Sequence, residues 1–210
     1  MHLFVTGTGT GVGKTRVTAL WVRTQRRRGA EAVGLKPIAA GDRDDALLLR
    51  EAGGNLLSLD EINPCHLAAP LAPQVAARQE GRTIDFAAVN GAVAAARARF
   101  SHVAVEGVGG WRVPLAAGKT VGDWARELGL PVLVVASAGL GTLNHTLLTI
   151  EAIRREGLPL LGIVLNRHGL APGDRAAATN REALEEWTGL PIVELKEGGE
   201  LPEAAWLFGG

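Results

Sequence analysis

The chain has 210 residues, 47% of them apolar, which predicts one α/β domain with a full hydrophobic core over residues 1–210. Twenty-two Lys and Arg residues balance 22 Asp and Glu residues, so charge gives no indication of a nucleic-acid or membrane partner. The single cysteine, Cys65, excludes an internal disulfide. Together with the lack of a signal peptide or a long apolar run, it predicts a cytoplasmic protein.

The glycine-rich segment GTGTGVGKT at residues 7–15 is the most informative part of the chain. It joins a predicted strand at 2–6 to a predicted helix at 14–28, the layout of a phosphate-binding loop. In such a loop, backbone N–H groups converge on the phosphates of a nucleotide. The groups placed to do so belong to Gly9, Gly11, Val12 and Gly13. Lys14 can reach the β- and γ-phosphates, and the Thr15 hydroxyl can bind Mg²⁺.

The loop differs from the common pattern in its spacing, because five residues rather than four separate Gly7 from Gly13. The alternative interpretation is a flexible Gly/Thr turn. The position of Gly-Lys-Thr at a strand-to-helix junction argues against that alternative, because phosphate binding requires the motif there.

Apolar runs of strand length alternate with helical patterns along the rest of the chain. Further strands are predicted at 32–36, 102–106, 131–136, 160–166 and 191–195, and further helices at 44–52, 73–80, 85–99, 121–127, 143–155 and 173–187. Several of these strands are apolar on both faces, as in a parallel sheet covered by helices on each side. The pattern therefore predicts an α/β, doubly wound, mostly parallel sheet of the P-loop NTPase type, with residues 53–83 outside the sheet.

Polar residues follow several predicted strands at the edge where such sheets bind ligands. Lys36 ends a buried strand and needs a charged partner, either a phosphate or a carboxylate substrate, unless it is a surface lysine. Glu106 can bind magnesium there, or be a solvated loop residue. Asn166 can contact an adenine edge or form a turn. Guanine-binding P-loop proteins have Asp where this chain has Gly169, which favours ATP.

Two other polar segments have ordinary structural interpretations. One of Asp42, Asp44 and Asp45 is expected to cap the helix at 44–52. Residues 139–145 open a helix whose free N–H groups can hold a carboxylate, or form an ordinary turn. Cys65 next to His66 is a coincidence of sequence rather than a catalytic pair, and His145 is structural.

Taken together, these segments resemble dethiobiotin synthetase, an enzyme of biotin synthesis. The matching pieces occur in the family's order over about residues 2–196. They are GTGTGVGKT at 7–15, KPIAAG at 36–41, DAL at 45–47, NP at 63–64, prolines 70 and 73, QEGR at 79–82, VEGVGGW at 105–111, DW at 123–124 and LGTLNH at 140–145. The long loop and the VEGVGGW segment are the most specific of these.

The resemblance implies an ATP- and Mg²⁺-dependent ring closure. One amine of 7,8-diaminononanoate takes up CO2 to give a carbamate, which attacks the γ-phosphate to form a carbamic-phosphoric anhydride. The second amine then closes the ureido ring and expels phosphate, giving dethiobiotin, ADP and phosphate. The reaction needs positioning and charge neutralisation but no side-chain nucleophile.

The resemblance also implies roles for individual residues. Lys14, Lys36 and Thr10 would contact the transferred phosphoryl group and the carbamate, and Thr15, Asp45 and Glu106 would hold magnesium. Asn166 would contact adenine. The residues implied in substrate binding are Lys36, Pro70, Gly107, Gly110, Gly141, Thr142, Leu143 and Asn144. The last four would come from the second subunit of a homodimer whose site lies near the interface.

Three positions depart from the family pattern: Ala40 replaces a serine, Gly11 an acidic residue, and Arg167 a frequent aspartate.

The main alternative function is that of a switch ATPase of the partitioning or cell-division type. Those proteins have a second lysine early in the loop, where this chain has Gly9. An amidoligase would need a further glutaminase domain, and a pure nucleotide-binding module does not account for Lys36 and Glu106 at adjacent strand ends.

Overall fold

A six-stranded parallel sheet, in the order β10-β9-β8-β1-β5-β2, forms the centre of the computed structural model, which describes residues 1–170 and 173–209. The strands are β1 (His2–Gly7), β2 (Ala32–Leu35), β3 (Ile38–Ala40), β4 (Cys65–Leu67), β5 (His102–Glu106), β6 (Pro114–Ala116), β7 (Lys119–Thr120), β8 (Val132–Ser137), β9 (Leu160–Asn166) and β10 (Ile192–Leu195). The helices are α1 (Lys14–Arg27), α2 (Asp44–Ala52), α3 (Leu59–Ile62), α4 (Pro73–Gln79), α5 (Phe86–Arg99), α6 (Val121–Leu128), α7 (Thr142–Arg155), α8 (Arg175–Thr188) and α9 (Ala205–Phe208).

The central strands are buried on both faces, which explains their continuous apolar runs. Residues 132–136 of β8 and residues 3–5 of β1 are all fully buried. Every pairing in this sheet is parallel, so successive strands are connected by helices that cross over it. The predicted doubly wound α/β sheet is therefore confirmed, and its six strands lie within one or two residues of the predicted bounds.

The segment from 53 to 83 lies outside the central sheet, as predicted, but it contains a strand that the sequence did not indicate. β4 pairs in parallel with β3, which directly follows β2, to form a separate two-stranded sheet. The junction is fixed by hydrogen bonds from the Lys36 backbone N–H to the Ile62 carbonyl (3.1 Å) and from the Asn63 side-chain amide to the Lys36 carbonyl (2.8 Å). This second sheet therefore fixes the backbone at Lys36.

The last helix, α9, packs against α1 and accepts hydrogen bonds from its side chains. The Trp21 indole N–H donates to the Leu207 carbonyl (2.8 Å), and the Gln25 amide donates to the Phe208 carbonyl (2.8 Å). Without these two hydrogen bonds, the buried indole and amide groups would be left unsatisfied. No helix in the described ranges combines the length and the apolar character needed to cross a membrane.

Candidate functional site

A cavity of about 860 Å³ opens at the carboxyl ends of β1, β2 and β5. Its position follows from strand register, because Val5 pairs with Glu106 and Leu35 pairs with Val105. The loop after β1, Lys36 after β2 and Glu106 at the end of β5 therefore meet at one edge of the sheet. This is the edge at which open α/β sheets bind ligands.

The loop after β1 is held in a conformation that only glycine accommodates at its last turn. Gly13 is the N-cap of α1 with φ +96°, and a Cβ placed there would lie 2.2 Å from Nδ2 of Asn166. The same Nδ2 donates to the Val12 carbonyl at 3.0 Å. Asn166 thus supports the loop from behind, and the N-terminus of a 14-residue helix points towards the cavity.

Lys36 lies between two carboxylates. Its Nζ donates to Oδ2 of Asp45 (2.7 Å) and to Oε1 of Glu106 (2.5 Å), and the Thr15 hydroxyl donates to the same Glu106 oxygen (2.8 Å). Glu106 is fully buried and Lys36 is 4% exposed. Buried charges of this kind persist only when they are paired and hydrogen-bonded, so the lysine and the two acids stabilise one another.

The two lysines have opposite electrostatic environments. Burial, followed by the charge of Lys36, lowers the pKa of Lys14 from 10.5 to about 8. Burial also disfavours the charge on Lys36, but Glu106 and Asp45 outweigh it and raise the pKa of that lysine. Burial opposes ionisation of Asp45 as well, yet Lys36 and Thr15 keep its pKa below the usual range. Lys14 donates to the Gly9 carbonyl (2.9 Å) and is therefore the less well neutralised cation.

The oxygen atoms around Glu106 fit a magnesium ion. Oε2 of Glu106 is buried and has no hydrogen-bond partner among the described residues, so one carboxylate oxygen is available. Thr15 and Asp45 supply further oxygen donors nearby, and hard divalent cations prefer such donors. The described residues contain no group of three or more His, Cys, Asp and Glu side chains suited to a metal. A cation here would therefore need phosphate oxygens or water to complete its coordination.

Other residues implied in ligand binding are distributed among several surfaces. Thr10, Gly11 and Pro70 line the large cavity, while Gly9 and Gly110 line a neighbouring cavity of about 470 Å³. Gly107 is buried, and a Cβ there would lie 3.0 Å from the Phe4 ring. It therefore gives room for Phe4 and does not line the large cavity.

The start of α7 does not line the large cavity of its own chain. This applies to Gly141, Thr142, Leu143 and Asn144. The backbone N–H groups of Leu143 and Asn144 donate to no partner within the described residues, and Leu140 just before them is 94% exposed. The helix start is consequently open to a ligand or to another molecule.

Sequence reasoning missed two charged residues that line the cavity, Arg16 and Asp42. Arg16 follows the Gly-Lys-Thr motif on α1, and its position could have been read from helical spacing. The expected aspartate cap of α2 takes a different form: the N-cap is Arg43, and Asp42 accepts from the Asp44 backbone N–H (3.1 Å). Cys65 lies in β4, and burial raises the pKa of its thiol, which disfavours a nucleophilic thiolate.

Comparisons with known proteins agree with this geometry. A family model described as an AAA domain matches residues 1–204. ATP-dependent dethiobiotin synthetase BioD of Anaeromyxobacter dehalogenans strain 2CP-C is 53% identical over 87% of this chain and 87% of its own length. The protein of the same name from Akkermansia muciniphila is 47% identical over 91% of this chain and 90% of its own. The chain belongs to the ATP-dependent dethiobiotin synthetase family.

Solved structures show that this chain shares its fold with more distant proteins. Cell division protein FtsY from Thermotoga maritima superposes with a TM-score of 0.58 at 19% identity, covering 100% of this chain and 69% of its own. Septum site-determining protein MinD from Pyrococcus horikoshii, complexed with Mg-ADP, superposes with a TM-score of 0.54 at 14% identity, covering 94% and 82%. At these identities the likeness concerns the fold alone.

Proposed function

We propose that this protein uses ATP and CO2 to close the ureido ring of dethiobiotin from 7,8-diaminononanoate, releasing ADP and phosphate. Relatives that share about half of its residues carry the name of this enzyme. The observation that carries the proposal is the convergence of Lys14 and Lys36 on one cavity with the phosphate-binding loop. Two buried cations suit a reaction in which an anionic carbamate attacks an anionic phosphate.

Lys14 and the loop act on the nucleotide. The N–H groups of Gly9, Gly11, Val12 and Gly13 face the phosphates, and the N-terminus of α1 favours their negative charge. Lys14 can exchange its bond to the Gly9 carbonyl for a γ-phosphate oxygen. Since a phosphate dianion stabilises the ammonium form, nucleotide binding raises the pKa of Lys14 from about 8 and fixes its charge.

Lys36 and Thr10 act on the carbamate. Lys36 projects into the cavity from the end of β2, and its ammonium can reach an anion beside the γ-phosphate while Asp45 and Glu106 hold it charged. The carbamate oxygen then attacks the γ-phosphorus and displaces ADP. The amine that remains free attacks the carbamate carbon, expels phosphate and loses a proton to solvent. The two steps require orientation more than proton transfer, and a rigid, buried lysine supplies it.

Thr15, Asp45 and Glu106 are the residues that would hold Mg²⁺. When bound, the ion supplies neutralisation of the β- and γ-phosphate charges. Glu106 must then share its oxygens between the ion, Thr15 and Lys36, and its unpartnered Oε2 provides the required capacity. Asn166 lies behind Gly13, where one amide hydrogen stays available for an adenine edge.

The substrate tail is proposed to cross between two subunits of a cytoplasmic homodimer. Pro70 lines the large cavity and flanks the diamine, while Gly107 and Gly110 shape the loop beside it. Gly141, Thr142, Leu143 and Asn144 do not line the large cavity of their own chain, so this helix start, with the free N–H groups of Leu143 and Asn144, would meet the substrate carboxylate from the partner subunit. The exposed Leu140 and Leu148 beside them support a protein contact there.

The test is phosphate release from Mg-ATP and bicarbonate, with and without 7,8-diaminononanoate. Diamine-dependent release, with a product of dethiobiotin mass, is expected from the wild type. Lys36→Ala is expected to abolish turnover with the fold intact, whereas Lys196→Ala, at an exposed lysine, serves as the matched control. Phosphate release at the same rate with and without the diamine would favour a switch ATPase. Near-normal turnover of Lys36→Ala would contradict the role assigned to that lysine.

A further inference from the structure

One carboxylate in the large cavity has no charged partner. The ionisable residues lining the cavity are Lys14, Arg16, Lys36, Asp42, Asp45 and Glu106. Asp45 and Glu106 are both paired to Lys36, whereas Asp42 forms no ion pair with any described residue. The two neighbouring cavities that also contain Thr10 are lined by no carboxylate. Asp42 is thus the acidic group free to meet a ligand cation there.

Backbone contacts of the preceding residue, Gly41, position Asp42 at the large cavity. Gly41 has φ +99°, and a Cβ there would lie 3.3 Å from Cβ of Pro70. Its N–H donates to the Leu67 carbonyl (2.9 Å), and its own carbonyl lies 2.7 Å from Nε2 of His66. Oδ1 of Asp42 accepts from the Asp44 N–H (3.1 Å), which leaves Oδ2 for another donor. The carboxylate of this exposed residue is therefore oriented by one backbone hydrogen bond.

The other charged groups of the cavity wall are less suited to an ammonium group than Asp42. Gly9 and Gly11 bring no side chain to the loop, and Ala40 beside Gly41 is apolar. Lys14, Arg16 and Lys36 repel a positive charge, and the charges of Asp45 and Glu106 are offset by their ion pairs with Lys36. A ligand carrying an ammonium group is therefore attracted to the part of the cavity lined by Asp42.

We propose that Asp42 binds one ammonium group of the diamine substrate and so orients the substrate in the cavity. This inference rests on the proposed function, since a vicinal diamine carries one ammonium group near neutral pH and that charge disfavours protonation of the neighbouring amine. CO2 adds only to a neutral amine, so a carboxylate that holds one nitrogen as ammonium leaves the other to react. Asp42 binds the substrate before chemistry, and its loss acts on KM for the diamine rather than on kcat.

The test compares Asp42→Asn with Asp44→Asn. The amide at 42 can still accept from the Asp44 N–H but carries no charge. Asp44 is exposed on the same helix turn and does not line the cavity, so its variant is the matched control. We expect the diamine KM to rise about tenfold in Asp42→Asn, as for loss of one charge-assisted hydrogen bond, with kcat and the ATP KM within about twofold of wild type.

Equilibrium binding of the diamine, and of 7-amino- and 8-aminononanoate, completes the test. Asp42→Asn is expected to bind the diamine more weakly than the wild type does. One of the two monoamines is expected to bind both proteins with the same affinity. Equal diamine affinity of Asp42→Asn and Asp44→Asn, or a fall in kcat with KM unchanged, would overturn the inference while leaving the enzyme assignment intact. Failure of the wild type to bind and turn over the diamine would overturn the proposed function and this inference together.

Discussion

Replacing Lys14 by methionine is expected to stabilise the ligand-free protein. The lysine is 6% exposed, and burial with the nearby charge of Lys36 lowers its pKa from 10.5 to about 8. Because each pKa unit corresponds to about 1.4 kcal/mol between the two protonation states, keeping Lys14 charged at pH 7 costs the fold about 3 kcal/mol. The fold tolerates this cost because the charge is needed for phosphate.

The net effect of the substitution is smaller than that cost. Methionine fills a similar elongated space without a charge, but the hydrogen bond from Lys14 to the Gly9 carbonyl is lost. A bond of this kind contributes about 1 kcal/mol. We therefore expect Lys14→Met to raise the free energy of unfolding by about 2 kcal/mol at pH 7, while abolishing ATP binding.

The pH dependence gives the reasoning a second check. Since the pKa of Lys14 is lower in the folded than in the unfolded state, the unfolded chain binds more protons between about pH 8 and pH 10.5. The wild type therefore gains stability as pH rises through this window. The advantage of Lys14→Met should be complete below about pH 7.5 and reduced to roughly zero near pH 9.5, where the remaining charge penalty balances the lost hydrogen bond.

Urea denaturation without nucleotide, at pH 7 and at about pH 9.5, measures both quantities. Lys196→Met, at an exposed lysine, is the matched control and should shift the unfolding free energy by less than about 0.5 kcal/mol at either pH. A Lys14→Met protein less stable than wild type at pH 7, or equally stabilised at both pH values, would refute the reasoning.

Two further substitutions test the loop and the ionic cluster. Gly13→Ala should lose ATP binding and destabilise the fold by more than about 1 kcal/mol, because its Cβ would meet the Asn166 amide at φ +96°. Gly91→Ala, in an open position of α5, should instead add about 0.5–1 kcal/mol in urea denaturation; equal effects of the two would contradict the assigned loop geometry. Glu106→Gln should cost about 3 kcal/mol of stability, because it leaves the buried Lys36 with one acidic partner, and should lower turnover at least 100-fold. Glu127→Gln, which breaks the exposed ion pair with Lys119, should change the free energy of unfolding by under about 1 kcal/mol. A similar loss of stability in both variants would contradict the larger effect expected for the buried pair.

The sheet and the loop could be predicted because their signals are local. Apolar runs specify buried parallel strands, and a Gly-Lys-Thr motif at a strand-to-helix junction specifies a phosphate-binding loop. Lys36 and Glu106 could be placed at the same edge because carboxyl ends of parallel strands meet there. Their pairing with each other was not predicted, since the partner expected for Lys36 was a phosphate or a carboxylate substrate.

Features that depend on contacts between distant segments were not predictable. β3 and β4 have three residues each and pair with one another although the chain between them is long. Strands this short have no detectable periodicity in the sequence. The same pairing places Leu67 against Gly41, and that contact turns Asp42 into the cavity instead of leaving it as a helix cap. The position of Gly107 was not predictable either, because only its packing against Phe4 shows that it faces the core.

The central claim is that this cavity phosphorylates a carbamate, and an oxygen-label experiment tests it most directly. ¹⁸O-bicarbonate is added with Mg-ATP and 7,8-diaminononanoate, and the released phosphate is analysed by mass spectrometry before the label exchanges with water. The carbamate oxygen that bonds to the γ-phosphorus leaves with phosphate when the ring closes, so each phosphate released should carry one ¹⁸O atom. Formation of dethiobiotin with unlabelled phosphate would contradict the account.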